Sequence, residues 1–156
     1  MTINTGIDQA KRAELARSIT GFLADTYALY LKTQGFHWNV TGLHFQALHE
    51  LFGTQYTELA MAIDEIAERV RALGVYAPGS LSAMRELSSL EEASGKLSDR
   101  QMLGALLSDH ESLARSARSL LHGAADAGDD ATADLMNQRL NLHEKTAWML
   151  RAHLDG

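Results

Sequence analysis

The sequence predicts an all-α protein whose four long helices form a bundle, and three observations support this prediction. The 156 residues include one proline, the residue that interrupts helices most strongly. Ala, Leu, Glu, Arg and Gln, which favour helices, are abundant. Apolar residues recur at helical spacing along four long stretches. A chain of this length is expected to form a single domain over residues 1–156 with a full hydrophobic core.

A tight turn joins the first two helices. The first helix is expected from about Asp8 to about Trp38, and residues 39–42 form the turn. The second helix runs from about Leu43 and stops at Gly74 and the Pro-Gly pair that follows. The apolar positions at helical spacing are Leu15, Ile19, Phe22, Leu23, Leu29 and Phe36 in the first helix, and Leu48, Phe52, Leu59, Ile63, Ile66 and Val70 in the second.

The connection from Gly74 to Leu97 is longer than a bundle turn needs. Its segment SLSAMREL can form a short helix. The connection is long enough to cross from one end of the bundle to the other, which would make the second and third long helices parallel. The sequence therefore predicts a ferritin-like four-helix bundle, with a long crossover between helices 2 and 3 that contains a short helix.

The third and fourth long helices have clear start signals. Ser98 and Gln101 form a capping box at the start of the third helix, which is expected to end at Gly123. A Gly- and Asp-rich loop over residues 124–130 follows, and Asp129 or Asp130 can cap the fourth helix. The apolar positions are Leu103, Leu106, Leu107, Leu113, Ala117 and Leu120 in the third helix, and Leu135, Met136, Leu140, Leu142, Met149, Leu150 and Leu154 in the fourth.

Composition and charge argue against several classes of protein. The chain has no cysteine, so disulfides and thiolate metal sites are not available, which fits a reducing cytosol. No stretch approaches the ~18 continuous apolar residues of a membrane span, and we expect no signal peptide. The formal charge of −6 suits attraction of cations and argues against a general nucleic-acid surface. We therefore expect a soluble, cytoplasmic protein.

Two histidines and two carboxylates form the most informative pattern. His37 and His49 flank the first turn, and Asp64 and Glu68 lie one helical turn apart on the second helix, where they can share a cation. His49 stands fifteen residues before Asp64, which is roughly 22 Å along one helix. Imidazoles and carboxylates can therefore bind the same ion only if two chains pack antiparallel. We interpret the stretch as half of a site that repeats across a two-fold axis.

The usual interior di-iron site of a helical bundle is absent from the sequence. Such sites use Glu-x-x-His pairs, and no glutamate here has a histidine three positions later. His110 and His143 nevertheless fall on apolar stripes and are expected to face each other inside the bundle, with Glu58 nearby. We interpret them as buried imidazoles with ordinary hydrogen bonds, and a second metal site is the alternative. The remaining histidines, His44, His122 and His153, are expected to be exposed.

The motif H-W-N-x-x-G-x-x-F-x-x-L-H-E begins at His37, and D-x-x-A-E-R begins fifteen residues after its second histidine. Together they resemble the signature of the Dps family, the DNA-protection-during-starvation mini-ferritins. The segment T-A-D-L at residues 132–135 and the aromatic Trp148 resemble that family as well. The similarity covers essentially the whole chain.

The resemblance implies a hollow dodecameric shell of dimers that takes up Fe(II), oxidises it with hydrogen peroxide or O2, and stores Fe(III) oxide. His37 and His49 would come from one subunit, and Asp64 and Glu68 from its partner. Trp38 matches the family tryptophan that buffers electrons during oxidation. Mixed nitrogen and oxygen ligands suit Fe(II) and also Zn(II), so zinc can substitute.

One position departs from the family pattern. A further carboxylate usually follows the second histidine by one turn, and here that position is Gly53. The second metal position is then weakened, filled by water or served by another side chain. A non-catalytic shell that buffers metal or associates with the nucleoid is therefore an alternative to a ferroxidase. A monomeric helical signalling bundle is a third interpretation.

Four aspartates surround the predicted start of the fourth helix, where the family builds acidic three-fold pores. Carboxylates that ring a symmetry axis concentrate divalent cations. The competing interpretation is a solvated loop with a helix cap and first-turn acids. The four residues are Asp126, Asp129, Asp130 and Asp134.

The sequence predicts weak or absent DNA binding. Family members that condense DNA often use a lysine-rich tail, whereas the segment MTINTGI contains neither Lys nor Arg. Lys11 and Arg12 form only a thin basic patch, and the C-terminal residues HLDG add no Lys or Arg. Phosphate binding depends on such cations. The bacterial nucleoid is thus a secondary location beside the cytoplasm.

Overall fold

A computed structural model describes residues 3–155, most of which lie in five α-helices. The described residues do not include Met1, Thr2 and Gly156. These three residues are the ends of the predicted domain and of the two terminal segments. Over residues 3–155 none of the helices has the apolar run that a membrane span requires. The all-α bundle and its short helix in the crossover are confirmed. The helices are α1 Gln9–Asn39, α2 Phe45–Ala72, α3 Leu81–Leu87, α4 Asp99–Ala127 and α5 Asp130–Leu154.

The starts of the helices follow from local capping. Asp8 precedes α1, and its Oδ1 accepts hydrogen bonds from the amides of Ala10 and Lys11 at 3.0 and 3.1 Å. The predicted capping box at the start of α4 is confirmed. Ser98 Oγ accepts from the amide of Gln101 at 3.3 Å, and the Ser98 amide donates to Gln101 Oε1 at 2.9 Å. These side chains satisfy amides that a helix leaves without partners at its start.

The end of α4 was predicted wrongly. The helix continues through Gly123 to Ala127, so most of the loop expected over residues 124–130 is helical. Ala124 is fully buried, and this packing outweighs the weak helix preference of the preceding glycine. The chain turns at Gly128, whose φ of 72° lies in the left-handed region that glycine adopts without strain. Of the two candidate caps, Asp129 is the one that caps α5.

The four long helices bury their apolar stripes in one core. The helices pack as the pairs α1 with α2 and α4 with α5, and α1 also packs against α4 and α3. Phe22 and Phe52 are among the largest fully buried side chains. Met149 was expected in the apolar stripe of the last helix but is 38% exposed. The other departures from full burial are modest, since Ile63, Leu107, Leu135, Leu142 and Leu154 are half-buried.

A buried carboxylate fixes the crossover to α1. Asp25 accepts hydrogen bonds from Ser88 Oγ at 2.8 Å and from the amide and Oγ of Ser89 at 2.6 and 2.9 Å. This anchor holds the segment that leaves α3 against the bundle. Further along α1, Nζ of Lys32 donates to Oδ2 of Asp109 on α4 at 2.5 Å, and both side chains are largely buried. Polar contacts thus set how α1 meets α3 and α4.

Candidate metal centre

His37 near the end of α1 and His49 near the start of α2 form a symmetric pair. Their rings are stacked, with centroids 3.8 Å apart and planes inclined by 19°. Nδ1 of His37 lies 2.7 Å from the carbonyl oxygen of His49, and Nδ1 of His49 lies 2.8 Å from the carbonyl oxygen of His37. Each side chain therefore binds the main chain of the other residue, and the turn between α1 and α2 holds both rings.

These two hydrogen bonds fix the tautomers of both imidazoles. A carbonyl oxygen only accepts, so Nδ1 carries the hydrogen in His37 and in His49. The Nε2 atoms of the neutral rings then keep their lone pairs. Histidines that ligate metals are held in this way, with one nitrogen donating to a carbonyl and the other coordinating the ion. The pair is therefore pre-organised to coordinate through Nε2.

Asp64 and Glu68 do not meet the histidines within one chain. Both carboxylates are exposed on α2, one turn apart. Asp64 lies fifteen positions after His49 on the same continuous helix, or roughly 22 Å away. Among residues 3–155 no three His, Asp or Glu side chains gather closely enough to hold a metal ion. The assignment of the four residues to one centre remains a prediction about two subunits.

Gly53 lies directly under the ring of His37. A β-carbon built on this glycine would stand 3.2 Å from Cε1 and 3.3 Å from Nδ1 of His37. Contacts this short require the ring to move by a few tenths of an ångström. The missing carboxylate and the position of His37 are therefore coupled, because the imidazole uses the space beside the glycine.

Aromatic rings continue on both sides of the histidine pair. Phe45 stacks on His49 with centroids 5.2 Å apart, and Tyr56 meets His37 edge-on at 5.2 Å. Trp38, the predicted redox residue, is 63% exposed in the single chain. Sequence reasoning missed Tyr56, although its position seven residues after His49 places both on one face of α2. An oxidisable phenol thus lies beside a candidate metal ligand.

Comparison with known proteins decides the family. The ferritin-like domain family matches residues 21–156. A DNA protection during starvation protein of Brevibacillus brevis is 35% identical over 153 residues, which cover 98% of this chain and 100% of that protein. The chain belongs to the Dps family of ferritin-like proteins.

Two further Dps proteins support the same assignment. DNA protection during starvation protein 2 of Bacillus anthracis is 38% identical over 133 residues, covering 85% of this chain and 91% of that one. The crystal structure of the Dps protein from Vibrio cholerae O1 matches with a TM-score of 0.94 and 32% identity, over 99% of this chain and 98% of that one. That protein is described as a member of a broad superfamily of ferritin-like diiron-carboxylate proteins. The resemblance drawn from the sequence motifs is confirmed.

The interior of this Dps bundle contains four polar side chains in series, which we call the interior polar chain. Glu58 of α2 accepts two hydrogen bonds from the guanidinium of Arg139 on α5, of which the Nη2–Oε2 contact measures 3.1 Å. Nη2 of Arg139 lies 3.3 Å from Nε2 of His143. Nδ1 of His143 lies 2.9 Å from Nδ1 of His110 on α4. The prediction that the two histidines face each other inside the bundle is confirmed.

The interior polar chain has one consistent arrangement of protons. Arg139 only donates, so Nε2 of His143 accepts and Nδ1 of His143 carries the hydrogen. Nδ1 of His110 must then accept, which places the second hydrogen on its Nε2. Burial, reinforced by the charge of Arg139, lowers the pKa of His110 to about 3. The same burial lowers the pKa of His143 well below its ordinary value. Neither ring keeps a lone pair for a metal, which favours the interpretation as buried, hydrogen-bonded imidazoles.

Sequence reasoning missed Arg139, which is only 3% exposed. The available signal was its position four residues before His143, on the same face of α5. The three other histidines, His44, His122 and His153, are exposed as predicted.

The four aspartates near α5 divide into one structural residue and three exposed ones. Asp129 is 2% exposed, caps α5 through the amide of Thr132 at 3.1 Å, and pairs with Arg69 of α2 at 2.6 Å. Burial alone raises the pKa of Asp129, but hydrogen bonds from Arg69 and Thr132 outweigh it and leave the pKa lowered. Asp129 therefore caps α5 and connects it to α2, and its side chain is too buried to line a pore. The exposed residues are Asp126, Asp130 and Asp134.

Proposed function

We propose that this protein is an iron-storing and iron-detoxifying mini-ferritin. It binds Fe(II) at centres between subunits, oxidises it with hydrogen peroxide or O2, and stores Fe(III) mineral in a hollow shell. This removal of iron and peroxide protects DNA from oxidative damage. The single observation that carries the proposal is the reciprocal hydrogen bonding of His37 and His49, which leaves both Nε2 lone pairs available.

The centre is completed when two chains pair about a two-fold axis. Antiparallel pairing places the Asp64 and Glu68 end of one α2 beside the histidine end of the other. Exposed apolar side chains near both halves of the centre support contact there, because Met61 is 61% exposed one turn before Asp64 and Phe45 is 43% exposed one turn before His49. Large exposed apolar side chains favour association. Six such dimers would make the dodecameric shell.

The ligand set suits Fe(II) as a substrate. Two imidazole nitrogens and two carboxylates are ligands that bind Fe(II) well and do not exclude Zn(II). Reduction of hydrogen peroxide to two waters takes two electrons, which two Fe(II) ions supply without release of hydroxyl radical. Exposed Asp126, Asp130 and Asp134 would attract the incoming cations at an acidic pore.

A second function remains a candidate because of Gly53. A shell whose centre binds one ion, zinc included, would buffer metal or associate with the nucleoid without turnover. DNA binding is expected to be weak or absent in either case, since the formal charge of these 156 residues is −6. A cytoplasmic location fits both functions.

Two measurements test the proposed function. Size-exclusion chromatography with light scattering must give an assembly much larger than a monomer. The assembled protein is then loaded with Fe(II) without oxygen and mixed with hydrogen peroxide, and ferric absorbance is followed. His49→Ala should abolish fast oxidation, whereas His122→Ala, which removes an exposed histidine, should leave it unchanged. An assembly that binds metal without fast oxidation would favour the non-catalytic shell. A monomer in solution would exclude both the mini-ferritin and the non-catalytic shell.

A further inference from the structure

We propose that a groove between α1, α3 and the crossover binds a free carboxylate with a long apolar chain, that is, a fatty acid. This α1–α3 groove encloses about 950 Å³, a volume typical of pockets for small ligands. Its walls include Ala28, Leu31 and Gly35 of α1, Met84 of α3 and Leu97 of the crossover. The proposed site needs no iron, so the inference is independent of the proposed function.

The walls of the α1–α3 groove expose large apolar side chains. Leu31 of α1 is 50% exposed and Leu81 of α3 is 68% exposed, and both line the groove. Gly35 continues the row of Ala28 and Leu31 by one more helical turn. A β-carbon on Gly35 would meet nothing within 4 Å, so this glycine leaves open space in the groove. An apolar chain that lies along this row would remove the leucine side chains from water.

The groove is long and follows one helix. Its α1 wall extends from Tyr27 to Asn39, which is twelve positions, or roughly 18 Å along the helix. An extended acyl chain fits such a shape better than a compact ring system does. Each CH2 group that the groove removes from water should tighten binding about 4-fold. The shape therefore predicts that affinity depends on the length of the acyl chain.

Lys96 supplies a cation at one end of the groove. Its exposed side chain lies just before the start of α4, and Asn39 at the end of α1 lines the same groove. These two ends are neighbours, because a β-carbon on Gly42 would lie 3.7 Å from Oδ2 of Asp99. None of the ion pairs among residues 3–155 involves Lys96. Its ammonium group is therefore available to the carboxylate of a ligand.

The two other cations of the groove already have carboxylate partners. Nζ of Lys32 lies 2.5 Å from Oδ2 of Asp109, and the lysine side chain is only 7% exposed. Nε of Arg85 lies 3.9 Å from Oε1 of Glu92. A ligand with one negative charge is thus directed to Lys96, and its apolar chain then extends along the α1 row.

The charged rim favours a slender ligand over a second copy of the chain. Arg85, Glu91, Glu92 and Lys96 line the groove and are all exposed. The buried centre of a protein–protein interface is depleted in charged residues. A second subunit on the groove would remove these charges from water, whereas an acyl chain leaves them at the surface. We therefore assign the groove to a fatty acid.

The test measures binding of fatty acids of increasing length to the assembled, iron-free protein by titration calorimetry. Affinity should rise about 4-fold with each added CH2 and stop rising when the groove is full. Lys96→Gln should weaken dodecanoate binding about 2- to 5-fold, as expected for an exposed ion pair. It should not weaken binding of dodecyltrimethylammonium, whose head group is positive. Lys145→Gln, which changes an exposed lysine on α5, is the matched control and should leave dodecanoate binding unchanged.

A second variant tests the apolar wall. Gly35→Leu fills the open space and should weaken dodecanoate binding about 10-fold or more, which corresponds to two lost CH2 groups. Gly21→Leu is its control, because Gly21 also lies within α1, is not part of the groove and has nothing within 4 Å of its β-carbon. Light scattering verifies that each variant assembles. If Gly35→Leu does not assemble, the chain-length series and the exposed Lys96→Gln still decide.

Several outcomes would overturn the inference. Absence of dodecanoate binding to the assembled wild-type protein would do so, as would dissociation of the assembly by dodecanoate, because the groove would then be a contact between subunits. Affinity independent of chain length, equal affinities in Gly35→Leu and Gly21→Leu, or equal affinities in Lys96→Gln and Lys145→Gln would do so as well. Ferric absorbance is measured separately, so failure of iron oxidation would overturn the proposed function and leave this inference standing.

Discussion

Gly53 and His37 occupy one shared space, since a β-carbon on the glycine would lie 3.2 Å from Cε1 of the imidazole. The ring is also held by its 2.7 Å hydrogen bond to the carbonyl of His49. The glycine that removes a family carboxylate thus also leaves room for the ring of His37. A carboxylate restored by Gly53→Asp would shift this ligand by a few tenths of an ångström while it adds another.

The first prediction follows from this contact. Gly53→Ala should weaken Fe(II) or Zn(II) binding by about 10-fold or more, as changes beside metal ligands do. The variant should not unfold the helix, because alanine is favoured over glycine there by about 1 kcal/mol. Anaerobic titration calorimetry on the assembled protein measures the affinity.

Gly104→Ala is the control for Gly53→Ala. Gly104 also lies within a helix, but its β-carbon would meet nothing within 4 Å. Gly104→Ala therefore gives the same gain in helix preference without a contact to His37. Equal metal affinity in the two alanine variants would contradict the coupling of Gly53 to the ligand.

The second prediction concerns stability against acid. Burial lowers the pKa of His110 to about 3 and lowers the pKa of His143 well below its ordinary value, so below about pH 6.5 the unfolded chain binds protons on both imidazoles that the folded chain does not bind. Unfolding is therefore increasingly favoured as the pH falls through this range. The slope is about 1.4 kcal/mol per pH unit for each imidazole.

Urea unfolding at fixed protein concentration, between pH 7.5 and pH 5, measures this slope. His110→Leu should reduce it, since one of the two neutral imidazoles is gone. His122→Gln should leave it unchanged, because His122 is exposed. A slope insensitive to His110 would mean that other groups carry the acid sensitivity.

The third prediction concerns Arg139, which links Glu58 to His143 across the bundle. Arg139→Met should destabilise the protein by about 2–4 kcal/mol, because it leaves a carboxylate and an acceptor nitrogen without their donor. The loss of stability should be smaller than for a fully buried ion pair, since the side chain of Glu58 is 34% exposed. Arg118→Met is the control: its pair with Glu144 is exposed on both sides, so its loss should cost under about 1 kcal/mol. Similar losses in both variants would argue against a structural role for the interior polar chain.

The fourth prediction separates two neighbouring aspartates. Asp129→Ala removes the cap of α5 and the partner of Arg69, and should cost about 1–3 kcal/mol of stability. Asp130→Asn keeps the cap and removes an exposed charge at the proposed pore. It should slow iron uptake into the shell and change the melting temperature little. Thermal melts combined with iron-uptake rates distinguish the two, and slow uptake with intact stability in Asp129→Ala would reverse the assignment.

Much of the architecture could be predicted because it depends on local relations. Apolar spacing gave the four long helices, and the side chains of Ser98 and Gln101 gave the start of α4. The end of α4 could not be read locally, because burial of Ala124 carries the helix past Gly123. Tyr56 and Arg139 were missed for the same reason, since their importance lies in partners on other helices.

The sequence by itself determined that the imidazole and carboxylate halves cannot meet in one chain. The offset of fifteen residues from His49 to Asp64 imposes that separation through the fixed rise of the helix. Only the tertiary structure decided which nitrogens are available to a metal. The carbonyl that fixes each tautomer belongs to a residue twelve positions away, across the contact of α1 with α2. Helical rise is set by the backbone alone, whereas partners across helices depend on how each helix is rotated about its axis.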